Sequence, residues 1–95
     1  MIDADDAWLS PFYERPSGSI AVHAYYKEDY QFFFELIEPI FRRFDGRPHW
    51  GKMHSLKAAD FATLYPKFAT AQALRAEIDP AGRMVNEHLR EVFGA

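Results

Sequence analysis

A chain of 95 residues makes one domain at most, able to bury roughly 60–65% of its unfolded surface. The formal charge of −3, with no basic cluster, excludes a nucleic-acid surface, and the lack of cysteine excludes disulfides and thiolate metal sites. Aromatic residues make up 17% of the chain, more ring area than so small a core needs, so an apolar patch facing a partner is expected.

The acidic start, Met1 to Asp6, is not a signal peptide, and no apolar run approaches the ~20 residues of a membrane helix. A cytoplasmic protein is the expectation. Residues 1–18 are punctuated by Pro11, Pro16 and Gly18. They predict a wrapping loop that docks Trp8, Leu9, Phe12 and Tyr13 on a core. Residues 19–26 alternate and predict a strand, with Ile20, Val22, Ala24 and Tyr26 on one face. Ala21, His23 and Tyr25 fall on the other face, where imidazole and phenol both form hydrogen bonds. A lone strand histidine is more often exposed or structurally bonded than catalytic.

Residues 29–44 predict the main helix. Tyr30, Phe33, Phe34, Ile37, Phe41 and Phe44 follow one face, and Phe32, Leu36 and Ile40 add a second stripe. Asp29 is the expected N-cap, Arg42 and Arg43 suit the last turn, and Gly46 is the expected C-cap. Pro39 sits inside and bends the helix. The phenylalanine stripes are expected in the core or in an interface.

Residues 47–52, Arg-Pro-His-Trp-Gly-Lys, predict a short strand on which Pro48, Trp50 and Lys52 share a face. Strand, helix and strand make a β-α-β unit, so the expected fold is α+β: a small mixed sheet with helices on one face. Two short helices follow, over 58–66 and 67–78. Asp79-Pro80-Ala81-Gly82 has the composition of a type I turn, and Asn86 caps a last helix closed by Gly94. His49 and His54 stand five apart, which suits neither a helix face nor a strand face, and no metal site is expected.

The 47–52 run resembles the C-terminal signature of the aldonolactone and alditol oxidases. These are flavoproteins of the vanillyl-alcohol-oxidase type that include D-arabinono-1,4-lactone oxidase, gulonolactone oxidase and xylitol oxidase. Ala4 to Ser10, Ala21-Val22-His23, Leu64-Tyr65-Pro66, Asp79 to Arg83 and Asn86 to Gly94 resemble further family segments, in family order. The resemblance implies that residues 1–95 are a single C-terminal piece of a substrate domain. The FAD-binding domain then lies outside this chain, whose five glycines form no phosphate-cradling loop. It further implies oxidation of a carbinol of a sugar lactone or polyol, with Lys52 and His23 as catalytic residues. His23, Tyr25 and Lys52 would contact substrate, and Lys52, His49 and Trp50 would lie near the FAD of the full-length enzyme. Its partners are then its own flavin domain and the substrate, with no nucleic acid and no metal. Tyr25, where alditol oxidases often carry threonine, tilts the expectation toward a lactone. The piece alone is expected to be inactive. The competing reading is a stand-alone ferredoxin-like interaction module, with Lys52 as a surface lysine beside a buried tryptophan.

Overall fold

The computed structural model describes residues 1–94. It contains four helices: α1 (Tyr30–Arg43), α2 (Ala58–Leu64), α3 (Phe68–Ile78) and α4 (Glu87–Phe93). The expected α+β fold is not formed. Among the described residues the only strand-like pairings are two isolated bridges, Ile2 with Ser17 and Asp5 with Tyr13. A ferredoxin-like module needs a sheet, so that reading falls with it.

The physical reason differs at the two expected strands. Residues 47–52 do not run straight. The Lys52 amide donates to the His49 carbonyl at 3.1 Å, and the Gly51 amide donates to His49 Nδ1 at 3.1 Å. The segment closes into a turn, so the alternation that would put Trp50 and Lys52 on one face does not apply. Residues 19–25 lie outside any helix or bridge, and among the described residues their one backbone bond is local, from the Glu28 amide to the Tyr25 carbonyl at 2.8 Å. A strand is defined by its ladder, and alternating side chains alone do not supply one. The β-α-β unit has neither of its strands.

The helix boundaries follow the expected local signals. The Asp29 carboxylate accepts from the Gln31 amide at 3.0 Å, and Arg42 and Arg43 end α1 beside the helix dipole's negative pole. The cap sits at Phe44, and Gly46 instead donates its amide to the Phe41 carbonyl at 2.8 Å. A Cβ on Gly46 would stand 3.0 Å from that same oxygen, so the close approach requires glycine. The Asn86 side chain accepts from the Leu89 amide at 2.8 Å to start α4. Gly94 ends α4 in the left-handed region at φ 70°. The Gly82 amide donates to the Asp79 carbonyl at 3.1 Å, closing the expected turn.

One cluster of Leu56, Phe61, Tyr65, Phe68 and Val92 forms the centre of the core, with Leu9, Trp50, Ala58, Leu64 and Phe93 packed against it. Most of its area is aromatic. Trp50 stacks on Phe61 with centroids 4.5 Å apart, and Phe68 lies parallel to Phe93 at 6.0 Å. The N-terminal loop buries Tyr13 and seats Leu9 against this core, whereas Trp8, expected to dock with them, stays 39% exposed. Asp5 shapes the loop: its carboxylate accepts from the Ala7 amide at 3.1 Å and the Ser10 hydroxyl at 2.6 Å.

Helix α1 behaves differently, because none of its residues is buried. Phe32, Leu36, Ile40 and Phe44 are exposed at 61, 59, 44 and 75%. Its stripes are therefore not core in this chain. The radius of gyration is 14.7 Å, against about 12 Å for a compact chain of this length, in keeping with an element that packs poorly. The link from α1 to α2 is polar instead. Arg42 bonds Glu38 at 3.2 Å, Asp60 at 3.2 Å and the Ser55 hydroxyl at 2.9 Å. No helix is long and apolar enough to cross a membrane.

Candidate functional site

The turn at 47–52 is held from both ends. Arg47 is half-buried, and its guanidinium donates to three backbone carbonyls: Leu64 at 3.0 Å, Pro11 at 3.3 Å and Tyr13 at 2.7 Å. It also lies 5.1 Å from the Tyr65 ring centre, a cation–π distance. Five donors in a rigid fork suit arginine to this bridging task. Burial lowers its pKa, with Arg15 adding to that, while the guanidinium stays charged. The sequence marked this arginine as part of the 47–52 run but not as a bridge, because its three acceptors lie 17 to 36 residues away.

Trp50 anchors the other end. Its indole N–H donates to the Leu9 carbonyl at 2.8 Å, and its ring stacks on Phe61 and Phe93. It is thus a core residue with one polar tie, placed beneath the turn. Tyr65, beside it at 5.5 Å, has its phenol pushed up to about 12 by burial and stays neutral.

Lys52 emerges from this rigid base. Its side chain is exposed and forms no salt bridge among the described residues. With Gly51, Met53 and His88 it lines an open hollow of about 450 Å³, within the ~300–1,000 Å³ range of small-molecule sites. A Cβ on Gly51 would meet only the His49 ring, at 3.5 Å, so the backbone there is open to a flat neighbour. His49 is exposed, with its Nδ1 turned back to its own loop.

His23 and Tyr25 are not brought to this hollow. Both are exposed on the 18–28 segment, and the Tyr25 ring meets that of Tyr26 at a tilt of 55° with centroids 4.7 Å apart. No hydrogen bond, ion pair or ring contact joins either to Lys52 among the described residues.

Two histidines stand behind the turn, weighed in the sequence only as metal ligands and set aside. His54 accepts the Leu56 amide on Nδ1 at 3.2 Å, so its neutral ring carries the proton on Nε2, which is buried without a partner. Its ring meets the edge of Phe61 at 5.4 Å and the His88 ring at 5.7 Å. Burial lowers the His54 pKa, with the His88 charge as the next cause, so the ring is held neutral. Among the described residues no group of three or more His, Asp or Glu side chains is placed to hold a metal.

An anchored turn presenting one free cation beside a small open hollow has the character of a binding site for a polar small molecule. The chain matches the model of the D-arabinono-1,4-lactone oxidase family over residues 1–92, and it belongs to that family of oxidoreductases. It is 38% identical over 90 residues to L-gulono-1,4-lactone dehydrogenase of Mycobacterium tuberculosis, covering 95% of this chain and 21% of that protein. It is 38% identical over 97 residues to L-gulonolactone oxidase of Scyliorhinus torazame, covering 98% of this chain and 22% of that protein. Against alditol oxidase of a Streptomyces species it is 36% identical over 96 residues, covering 94% of this chain and 22% of that protein. The chain thus spans about a fifth of the length of these relatives.

Proposed function

We propose that this chain is the C-terminal part of the substrate domain of an FAD-dependent oxidoreductase that oxidises a carbinol of a sugar-1,4-lactone or alditol. The family match over residues 1–92 is the observation that carries this reading. The relatives' own names cover both a lactone and an alditol.

The residues present fit one edge of a flavin and no more. Lys52 is unpaired beside the open Gly51 backbone, which suits contact with a flat anionic edge, while the five glycines are scattered and form no phosphate loop. FAD, when bound, supplies the hydride acceptor. Lys52 holds an ammonium against the negative charge that develops on the cofactor or the substrate oxygen. Such a charge is worth most where water is excluded. Trp50 fixes the turn from below, and His49 flanks it. His23 and Tyr25 supply donors and acceptors to substrate hydroxyls from the 18–28 segment.

The test is stopped-flow reduction of the flavin in the full-length enzyme. Losing an oriented charge of this kind costs ~2.7–4 kcal/mol, about 100- to 1,000-fold in rate. Lys52→Met is expected to slow reduction by that order with flavin still bound, and Lys52→Arg to recover part of it. A Lys52→Met enzyme that reduces its flavin at the parent rate makes the residue structural and ends this reading. The 95-residue chain alone is expected to bind no FAD; micromolar binding by flavin fluorescence would contradict the assignment of the cofactor to a separate domain.

A further inference from the structure

We propose that His88 is a second substrate-contacting residue of the Lys52 hollow, the hydrogen-bond acceptor that Lys52 cannot be. The proposal rests on the reading of Lys52 given above. Four residues line the hollow, and three of them come from the turn at 51–53. His88 alone arrives from α4, 36 positions beyond Lys52 in the chain. A sugar lactone or polyol presents hydroxyls, each of which both donates and accepts. The Lys52 ammonium has three donors and no acceptor. Gly51 offers no side chain, and the Met53 thioether is a weak acceptor. The His88 imidazole, when unprotonated, supplies the one good side-chain acceptor in the set.

His88 is free for that role, since its side chain is exposed and forms no hydrogen bond among the described residues. It is also steadied from behind. Its ring lies 5.7 Å from that of His54, which is itself wedged against Phe61 in the core. His54 is a positioning residue here, since its ring stands directly behind that of His88. The turn and α4 are tied to one base, because Trp50 stacks on Phe93 at 5.8 Å. Core packing therefore sets how the turn backbone and α4 stand relative to each other. A ligand with hydroxyls on neighbouring carbons matches a donor and an acceptor held across one hollow.

The experiment uses the full-length flavoenzyme and two probes, L-gulono-1,4-lactone and xylitol. Equilibrium binding to the reduced enzyme, where no turnover occurs, gives Kd, and stopped-flow gives the saturating rate of flavin reduction. His88→Phe keeps the ring and removes the acceptor. For whichever probe the parent oxidises, Kd is expected to rise about five- to tenfold, the worth of one neutral hydrogen bond, with the saturating rate within about twofold. His88→Gln retains an acceptor and is expected to recover most of the affinity. An unchanged Kd in His88→Phe overturns the inference. A raised Kd that His88→Gln does not recover also overturns it, by assigning the effect to lost packing on His54. Lys52→Met read in the same assay separates the two claims. If it slows flavin reduction while His88→Phe changes nothing, only the His88 inference fails. If it reduces at the parent rate, the Lys52 reading fails.

Discussion

Residues 47–94 and helix α1 each carry five Phe, Tyr or Trp rings, yet one region has a core and the other does not. In the first, Phe61 and Tyr65 are fully buried, with Trp50, Phe68 and Phe93 stacked around them. In the second, eight of the fourteen helix positions carry Tyr, Phe, Leu or Ile, and none is buried. Apolar periodicity states that a side chain is suited to burial. It does not state which surface will cover it. Residues 47–94 meet their own partners within about 45 positions, whereas α1 half-buries Phe33, Phe34, Ile37 and Phe41 and leaves Tyr30, Phe32, Leu36 and Ile40 exposed. The exposed stripe leaves α1 with apolar surface that this chain does not cover.

The contrast is broken most severely at Phe61. Phe61→Ala removes a fully buried ring from the centre of the stack and is expected to cost about 3–5 kcal/mol in urea unfolding of this chain. A loss under 1 kcal/mol would mean that the aromatic cluster is not the core. Next comes Arg47→Met, which keeps the stem but leaves the Leu64, Pro11 and Tyr13 carbonyls without their donor. About 2–3 kcal/mol is expected, with little recovery in Arg47→Lys, whose point charge cannot serve three acceptors. Full recovery by lysine would reduce Arg47 to a charge rather than a bridge.

A smaller effect comes with pH. The folded-state pKa of His54 lies below its ordinary value, so the unfolded chain binds the proton more readily. Its contribution is present above about pH 6.5, the ordinary histidine value, and is lost as pH falls through the depressed one. His54→Gln is expected to flatten the fall in stability between about pH 7 and 5. The depressed carboxylates Asp60, Asp79 and Glu91 titrate in a lower window and leave that comparison clean. An equal slope in parent and variant would show that His54 is hydrated. Least of all is expected from Phe32→Ala on the exposed stripe, within about 0.5 kcal/mol. The same substitution is expected to lower binding of a hydrophobic dye, whereas a cost like that of Phe61→Ala would show that α1 is packed after all.

Much of the local structure was legible in the sequence. The caps at Asp29 and Asn86, the turn at Asp79–Gly82, the left-handed Gly94 and the existence of all four helices depend on side chains reaching their own backbone within a few residues. The docking of Leu9 and Tyr13 was legible too, because proline and glycine keep that segment irregular and leave apolar side chains to dock, but the same reading placed Trp8 on the core and it is exposed. Family membership could be read from the 47–52 run and the segments that follow family order. The sheet could not. Alternation at 19–26 and a proline-led run at 47–52 describe residues able to join a ladder, and a ladder needs a second backbone that pattern does not supply. Tertiary structure alone decided that His49 to Lys52 turn rather than extend. It alone made Arg47 the tie to three distant carbonyls, and it brought His88 across 36 positions to the hollow of Lys52. Those outcomes depend on contacts between residues far apart in the chain, which no local spacing encodes.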